Sequence, residues 1–296
     1  MTATATDAQV STGTIVLGDN QYGKAEVRVM KVDRDQARHR ITELSVTSQL
    51  RGGDFSAAHI DGDQGRVVPT DTQKNTVFAL AKDGIASPEE FALRLGEHFL
   101  SSFDWIEGGR WEAKEYTWEH IPSSLTNHVT DGEHDHAFVK GGTETRTTVV
   151  QREGDEVFVV SGLEDLKVLK STGGSEFHGF PKDRYTTLQE TTDRILATSV
   201  TARWRYTSLD IDFNAVYDDV RRILLETFAT CTRSRCSRRS TRWVSGCSRR
   251  TRRSARSSSR CRTCTTSSWT SSPSAWRTRT RSSTSPTAPT GRSRRR

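Results

Sequence analysis

From Cys231 to Arg296 the chain contains no Leu, Ile, Phe, Tyr or Met, and 19 Arg, 18 Ser and 12 Thr make up most of those 66 residues. A segment of that composition buries too little apolar area to offset its ordering entropy, so any core must be built from residues 1 to 230. Charge divides at the same place. The net charge of +7 invites a nucleic-acid or membrane-surface reading, yet residues 1 to 230 hold 25 basic and 37 acidic side chains, a net of −12. All five cysteines (Cys231, Cys236, Cys247, Cys261 and Cys264) lie beyond the same boundary. The body therefore has no disulfide framework and suits a reducing compartment. The N-terminal MTATATDAQVST is small and polar, residues 1–17 read as a frayed terminus, and no apolar run approaches the roughly 20 residues of a membrane helix. A soluble, cytoplasmic protein is expected.

Within the body the pattern turns strand-like at Lys24, where Ala25, Val27 and Val29 alternate with Glu26, Arg28 and Met30. A second β-rich run, His39 to Gln49, completes a hairpin. After a Gly/Asp-rich bend from Arg51 to Gln64 comes Val67 to Ala81. The clearest helix is Ser87 to Phe103: Ser87 is placed to cap it, Pro88 suits the first position, and Glu90 completes a capping box. Its Phe91, Leu95, Phe99, Leu100 and Phe103 form one apolar stripe. Strands are expected at Trp105–Trp118, Ala137–Val139, Thr143–Arg152, Glu156–Ser161 and Arg194–Tyr206. A second helix is expected at Asp212–Thr230, with Phe213, Val216, Val220, Leu224 and Phe228 on one face. A strand-strand-helix-strand-strand order thus recurs about twice, which predicts an α+β fold of antiparallel sheet with helices on one face.

The densest recognition motif is STGGSEFHGFPKDRYTTLQETTDRIL, Ser171 to Leu196. The turn formers Ser171, Thr172, Gly173, Gly174 and Ser175 deliver Phe177 from a bend. Thr187, Glu190, Thr191 and Arg194 fall at helical spacing and predict a helix that turns Arg194 back towards Phe177. A flat ring and a forked guanidinium suit a flat heterocycle, one on its face and the other on its edge.

This segment resembles the urate oxidase (uricase) signature. QYGKAEVRVMKV (Gln21 to Val32) and VVPTDTQKNTVFALAK (Val67 to Lys82) resemble the same family in its own order and spacing, so the likeness runs from about Gly18 to Thr230. It implies tandem tunnelling-fold (T-fold) repeats, the first at 18–140 and the second at 141–230 and incomplete, between the 1–17 terminus and the 231–296 tail. It also implies oxidation of urate by O2 to 5-hydroxyisourate and H2O2, with no metal or organic cofactor. Lys24 and Thr70 match the family's catalytic pair, an ammonium that polarises a hydroxyl to make a proton relay. Asp71 matches the residue whose backbone N–H meets the substrate, Phe177 the stacking ring and Arg194 the clamp. The family builds each site between subunits, the Thr70 part from one and the Phe177/Arg194 part from another, which implies a homotetramer.

Residues 231–296 depart from the family completely. Yet bases encoding Arg260 to Ser267, read in the neighbouring frame, spell Leu-Pro-Asn-Met-His-His-Phe, which resembles the family's C-terminal active-site motif. The same frame turns Cys236–Arg238 into a run with Gln-Gln, and Trp276–Gly291 into Glu-Asn-Pro-Asp-Glu-Val-Phe-Tyr-Val-Ala-Asp-Arg-Pro-Tyr-Gly. The reading frame is therefore inferred to shift near Thr230. The glutamine, asparagine and histidine that complete the family's site have no counterpart in the chain as it stands, so it is expected to be inactive. Three other readings stand beside this one. His120, His128, His134 and His136 raise a metal site, because His134 and His136 fall on one face of a strand. Another T-fold enzyme acting on purines or pterins would use zinc or a glutamate anchor. A nucleic-acid-binding tail would show salt-dependent binding lost on deletion of residues 231–296.

Overall fold

The computed structural model describes residues 18–52, 55–124, 127–173 and 176–230; the expectations placed on residues 1–17, 174–175 and 231–296 lie outside these. β1 (Tyr22–Asp33) and β2 (Arg40–Arg51) form the expected hairpin. The bend that follows contains a short helix, α1 (Ser56–Ile60), and leads to α2 (Thr70–Lys82) and α3 (Pro88–Ser102). Four strands come next: β3 (Gly108–Pro122), β4 (Val129–Thr130), β5 (Glu133–Glu153) and β6 (Glu156–Lys170). β7 (Leu196–Arg205) and α4 (Phe213–Thr230) close the described chain. Every strand pair is antiparallel, in the order β1-β2-β3-β5-β6-β7, with β4 beside β5.

The cross-strand register explains the layers. Val46, Ala113, Thr148, Ser161 and Trp204 lie opposite one another across five strands, and all are buried. The adjacent row of Thr47, Glu112, Val149, Val160 and Arg205 points the other way and keeps solvent contact. Side chains alternate across a strand, so one face is apolar and must be covered while the other stays polar. Helices cover the first face. In α3, Ser87 Oγ accepts from the Glu90 N–H at 3.1 Å, and Phe91, Leu95 and Phe99 are fully buried. Gly96 lets this helix settle on Trp111, whose ring would lie 3.1 Å from any added Cβ. α4 buries Phe213, Val220 and Leu224 in the same core. The fold is α+β, as expected.

One buried ion pair joins the layers. Glu89, in the first turn of α3, is fully buried; the Arg146 guanidinium of β5 donates to it at 2.6 Å and to Asn214 Oδ1 of α4 at 2.8 Å. Ser161 of β6 also donates to Glu89.

The strands expected at Ala137–Val139 and Thr143–Arg152 are one strand, β5, which runs through Gly141–Gly142. A Cβ at Gly141 would lie 3.0 Å from the Glu119 carboxylate and 3.2 Å from the Thr117 methyl. The glycine serves close approach to β3 rather than a turn. The boundary between the two expected repeats, at residues 140 and 141, falls inside this strand.

Candidate active site

In β1 the register with β2 slips between Lys24 and Val27, where Glu26 takes a left-handed conformation (φ 56°) and its N–H donates to Thr47 Oγ1 at 3.1 Å. The consequence is a change of face. Tyr22, Lys24, Val27 and Val29 sit opposite Leu50, Ser48, Val46 and Leu44, four residues of the buried face of β2. Tyr22 and Lys24 therefore share the helix-covered side with Val27 and Val29. The simple alternation of Ala25, Val27 and Val29 breaks at this point, and Ala25 is exposed. A bulge re-aims a side chain in this way by inserting one residue into one strand of a pair.

α2 packs along β1, beginning at Thr70 behind Pro69 (φ −53°, ψ 139°), which offers no side-chain cap. The first-turn N–H groups of α2 are thus left open for an anion, where the helix dipole also favours one. Thr70 and Asp71 are exposed, as is Lys24. The Lys74 ammonium, 2.5 Å from Asp71 Oδ1, holds that carboxylate below its ordinary range, with help from Asn75 at 2.9 Å and from the nearby Lys24 charge. The structure thus gathers Lys24, Thr70 and Asp71 at one place.

Phe177 and Arg194 are brought together at another place, by a different device from the expected helix. Between Pro181 and Ile195 no helix forms. Asp183 Oδ1 accepts from the Tyr185 N–H (3.0 Å) and the Thr186 hydroxyl (2.8 Å), and Thr191 Oγ1 donates to the Asp193 carbonyl (2.6 Å). Such local side-chain bonds compete with helix formation. The chain instead pairs back on itself, Phe177 and Thr191 exchanging backbone hydrogen bonds of 2.8 and 3.1 Å. The Arg194 guanidinium then lies 4.6 Å from the Phe177 ring centroid, and Phe180 stacks on Phe177 at 4.9 Å and 18°.

The two groups do not meet within one chain. One stands on β1 and α2, the other on the link from β6 to β7, and β1 and β7 are the opposite ends of the sheet order. Five inter-strand steps separate them, roughly 24 Å along the sheet.

The histidine hairpin gains a member that the sequence did not suggest. His39 approaches His136 at 4.2 Å between ring centroids, with His128 and His134 at 4.9 and 5.9 Å from His136. Partial burial, His136 and Arg34 hold His39 below its ordinary pKa of 6.5. His136 Nε2 is engaged with the Ala37 carbonyl at 2.9 Å, and His120 Nδ1 with that of His134 at 2.8 Å. Among the described residues no three His, Cys, Asp or Glu side chains are grouped to hold a metal ion, and no helix is long and apolar enough to cross a membrane.

A family model described as Uricase matches residues 20–151 and 159–235. The uricase of Arthrobacter globiformis is 60% identical over 230 residues, which are 77% of this chain and 71% of that protein. The uricase of Oryctolagus cuniculus is 42% identical over 211 residues, 70% of this chain and 68% of that one. Among solved structures, the crystal structure of uricase from Arthrobacter globiformis superposes with a TM-score of 0.67 at 58% identity, over 75% of this chain and 73% of that one.

Proposed function

This chain belongs to the uricase family, and from that premise we propose how its residues serve the family's reaction and why residues 231–296 deprive this polypeptide of it. The activity is urate oxidation. Urate gives two electrons to O2 and water adds to the purine, so urate, O2 and H2O become 5-hydroxyisourate and H2O2. The enzyme's tasks are to hold the flat anion, take its proton and keep O2 beside it.

Lys24 and Thr70 form the proton relay. The ammonium polarises the threonine hydroxyl, which passes the substrate's proton away from the purine as electrons leave it. The open first turn of α2, with the N–H of Asp71 among its donors, meets the urate oxygens. Phe177 stacks on the purine face. Arg194, exposed and lying over that ring, swings to the substrate edge and donates a fork of hydrogen bonds. The observation that carries this reading is the placement of two chemically complementary half-sites at opposite ends of one sheet. A second copy must supply the other half, in keeping with a homotetramer. A Cys-free body suits a cytoplasmic setting.

The loss of function follows from the tail. The family match stops at residue 235, five residues into the Arg/Ser/Thr-rich segment. Beyond it no residue stands for the glutamine, asparagine and histidine that read the other substrate edge and place O2 and water. Continuing residues 1–230 in the neighbouring frame gives the comparison protein, here the frame-continued chain. It should consume urate, followed by loss of ultraviolet absorbance, whereas residues 1–296 should not. In the frame-continued chain Thr70→Ala should lower kcat by about 100-fold with little change in KM. Arg194→Ala should instead raise KM by about tenfold or more. Full activity in both variants would dismiss the site assignment.

A further inference from the structure

Lys24 and Thr70 belong to different elements, β1 and α2, and the chain between those elements is long. Resting on the reading of those two residues as the proton relay, we infer that Tyr22 is a positioning residue that sets one against the other. Its hydroxyl accepts the Val68 backbone N–H at 2.6 Å. Tyr22 stands two residues before Lys24 on the same face of β1, and Val68 stands two residues before Thr70. The bond therefore ties the strand that carries the ammonium to the residue that leads into the hydroxyl's helix.

The surroundings show a built clamp. The Tyr22 ring packs edge-on against Phe55, with centroids 4.8 Å apart at 86°, which fixes the direction of its hydroxyl. Val68 is itself buried, and its carbonyl accepts from the amide of Gln73, a fully buried residue of α2, at 3.5 Å. The Val68 peptide is thus held from β1 on its N–H side and from α2 on its carbonyl side. Burial raises the Tyr22 pKa, so the hydroxyl stays neutral across the working pH range and the Val68 N–H keeps a neutral acceptor. A hydroxyl that holds a backbone amide, rather than the substrate, acts only through geometry. Proton relays lose rate steeply when donor and acceptor drift by less than an ångström.

The test compares Tyr22→Phe with Phe55→Leu in the frame-continued chain, which keeps residues 1–230 unchanged. Tyr22→Phe removes the acceptor and retains the ring. It should lower kcat by about 10- to 100-fold, leave KM for urate within about twofold, and alter the pH profile of kcat. Phe55→Leu, which keeps the hydroxyl, should lower the melting temperature with a smaller loss of kcat. Hydrogen exchange gives a readout independent of turnover: the Val68 amide should lose protection in Tyr22→Phe. Unchanged kcat, or an unchanged Val68 exchange rate, would overturn the inference. If Thr70→Ala and Lys24→Met abolish turnover while Tyr22→Phe does not, positioning fails and the relay stands. If all three retain full kcat, the relay itself is wrong.

Discussion

At the scale of the residue, Arg146 holds together the buried charges between sheet and helices. It is 8% exposed and is the cation facing Glu89, which is fully buried. It also lies 4.5 Å over the Tyr217 ring and 3.5 Å from Glu115. Burial raises the Glu115 pKa, with Arg146 pulling against that rise. Burial and the Glu89 charge push Tyr206 up to about 12. A buried pair of this kind is poor evidence of net stability, because desolvation offsets its attraction, but removal of one partner strands the other. Arg146→Met in the frame-continued chain should therefore cost about 3–5 kcal/mol in urea unfolding. Adding Glu89→Leu to it should recover much of that loss. Equal destabilisation of the single and double variants would show that the stranded charge is not the cause.

At the scale of the element, the bulge in β1 decides which side of the sheet Lys24 faces. The side-chain period of a strand is two residues, and the bulge puts three residue steps between Lys24 and Val27, opposite the two between Ser48 and Val46. Deletion of Glu26 alone should therefore give a regular ladder in which Tyr22 and Lys24 keep the face of Val27 and Val29, whereas deletion of Ala25 and Glu26 together should turn Tyr22 and Lys24 to the opposite face while Val27 and Val29 stay in the core. In the frame-continued chain urate turnover should fall to background in the double deletion and persist in the single one, while far-ultraviolet circular dichroism of both remains close to that of the parent. Activity near the parent level in the double deletion would mean that the face of Lys24 does not matter. The Phe177 segment makes the complementary point. A bridge between Phe177 and Thr191 does what a helix was expected to do, and local bonds from Asp183, Thr186 and Thr191 supply the order.

At the scale of the whole molecule, β1 and β7 end the sheet order of the described residues. At the start of β7, Leu169 and Ile195 are 64% and 68% exposed. An unpaired strand edge beside apolar side chains is a template for association. In the chain as it stands, residues 231–296 bring no Leu, Ile or Phe to this region. Each such side chain left unburied forgoes roughly 1.5–3 kcal/mol, and a few of them rival the 5–15 kcal/mol margin of a typical domain. Residues 1–296 should therefore be largely insoluble or degraded on expression, form no tetramer and leave urate unconsumed. A soluble tetramer with turnover, seen by light scattering and an ultraviolet assay, would refute both the frame shift and the need for the missing residues.

The sequence alone determined what depends on local pattern. The capped helix from Pro88, the stripe of Phe91, Leu95 and Phe99, the β1–β2 hairpin and α4 all follow from periodicity and end signals spaced a few residues apart. The three family-like motifs carried the activity for the same reason, since residue types in order survive without coordinates. Tertiary structure decided where those residues stand. Glu26 has no tendency towards a left-handed backbone, so only pairing with β2 shows the bulge and the face of Lys24. Gly141–Gly142 separates two expected strands until β3 is seen to approach it. His39 joins the histidines, and Tyr22 reaches Val68, across dozens of residues of sequence. No local signal encodes such contacts, because their energy comes from neighbours that the fold alone brings near.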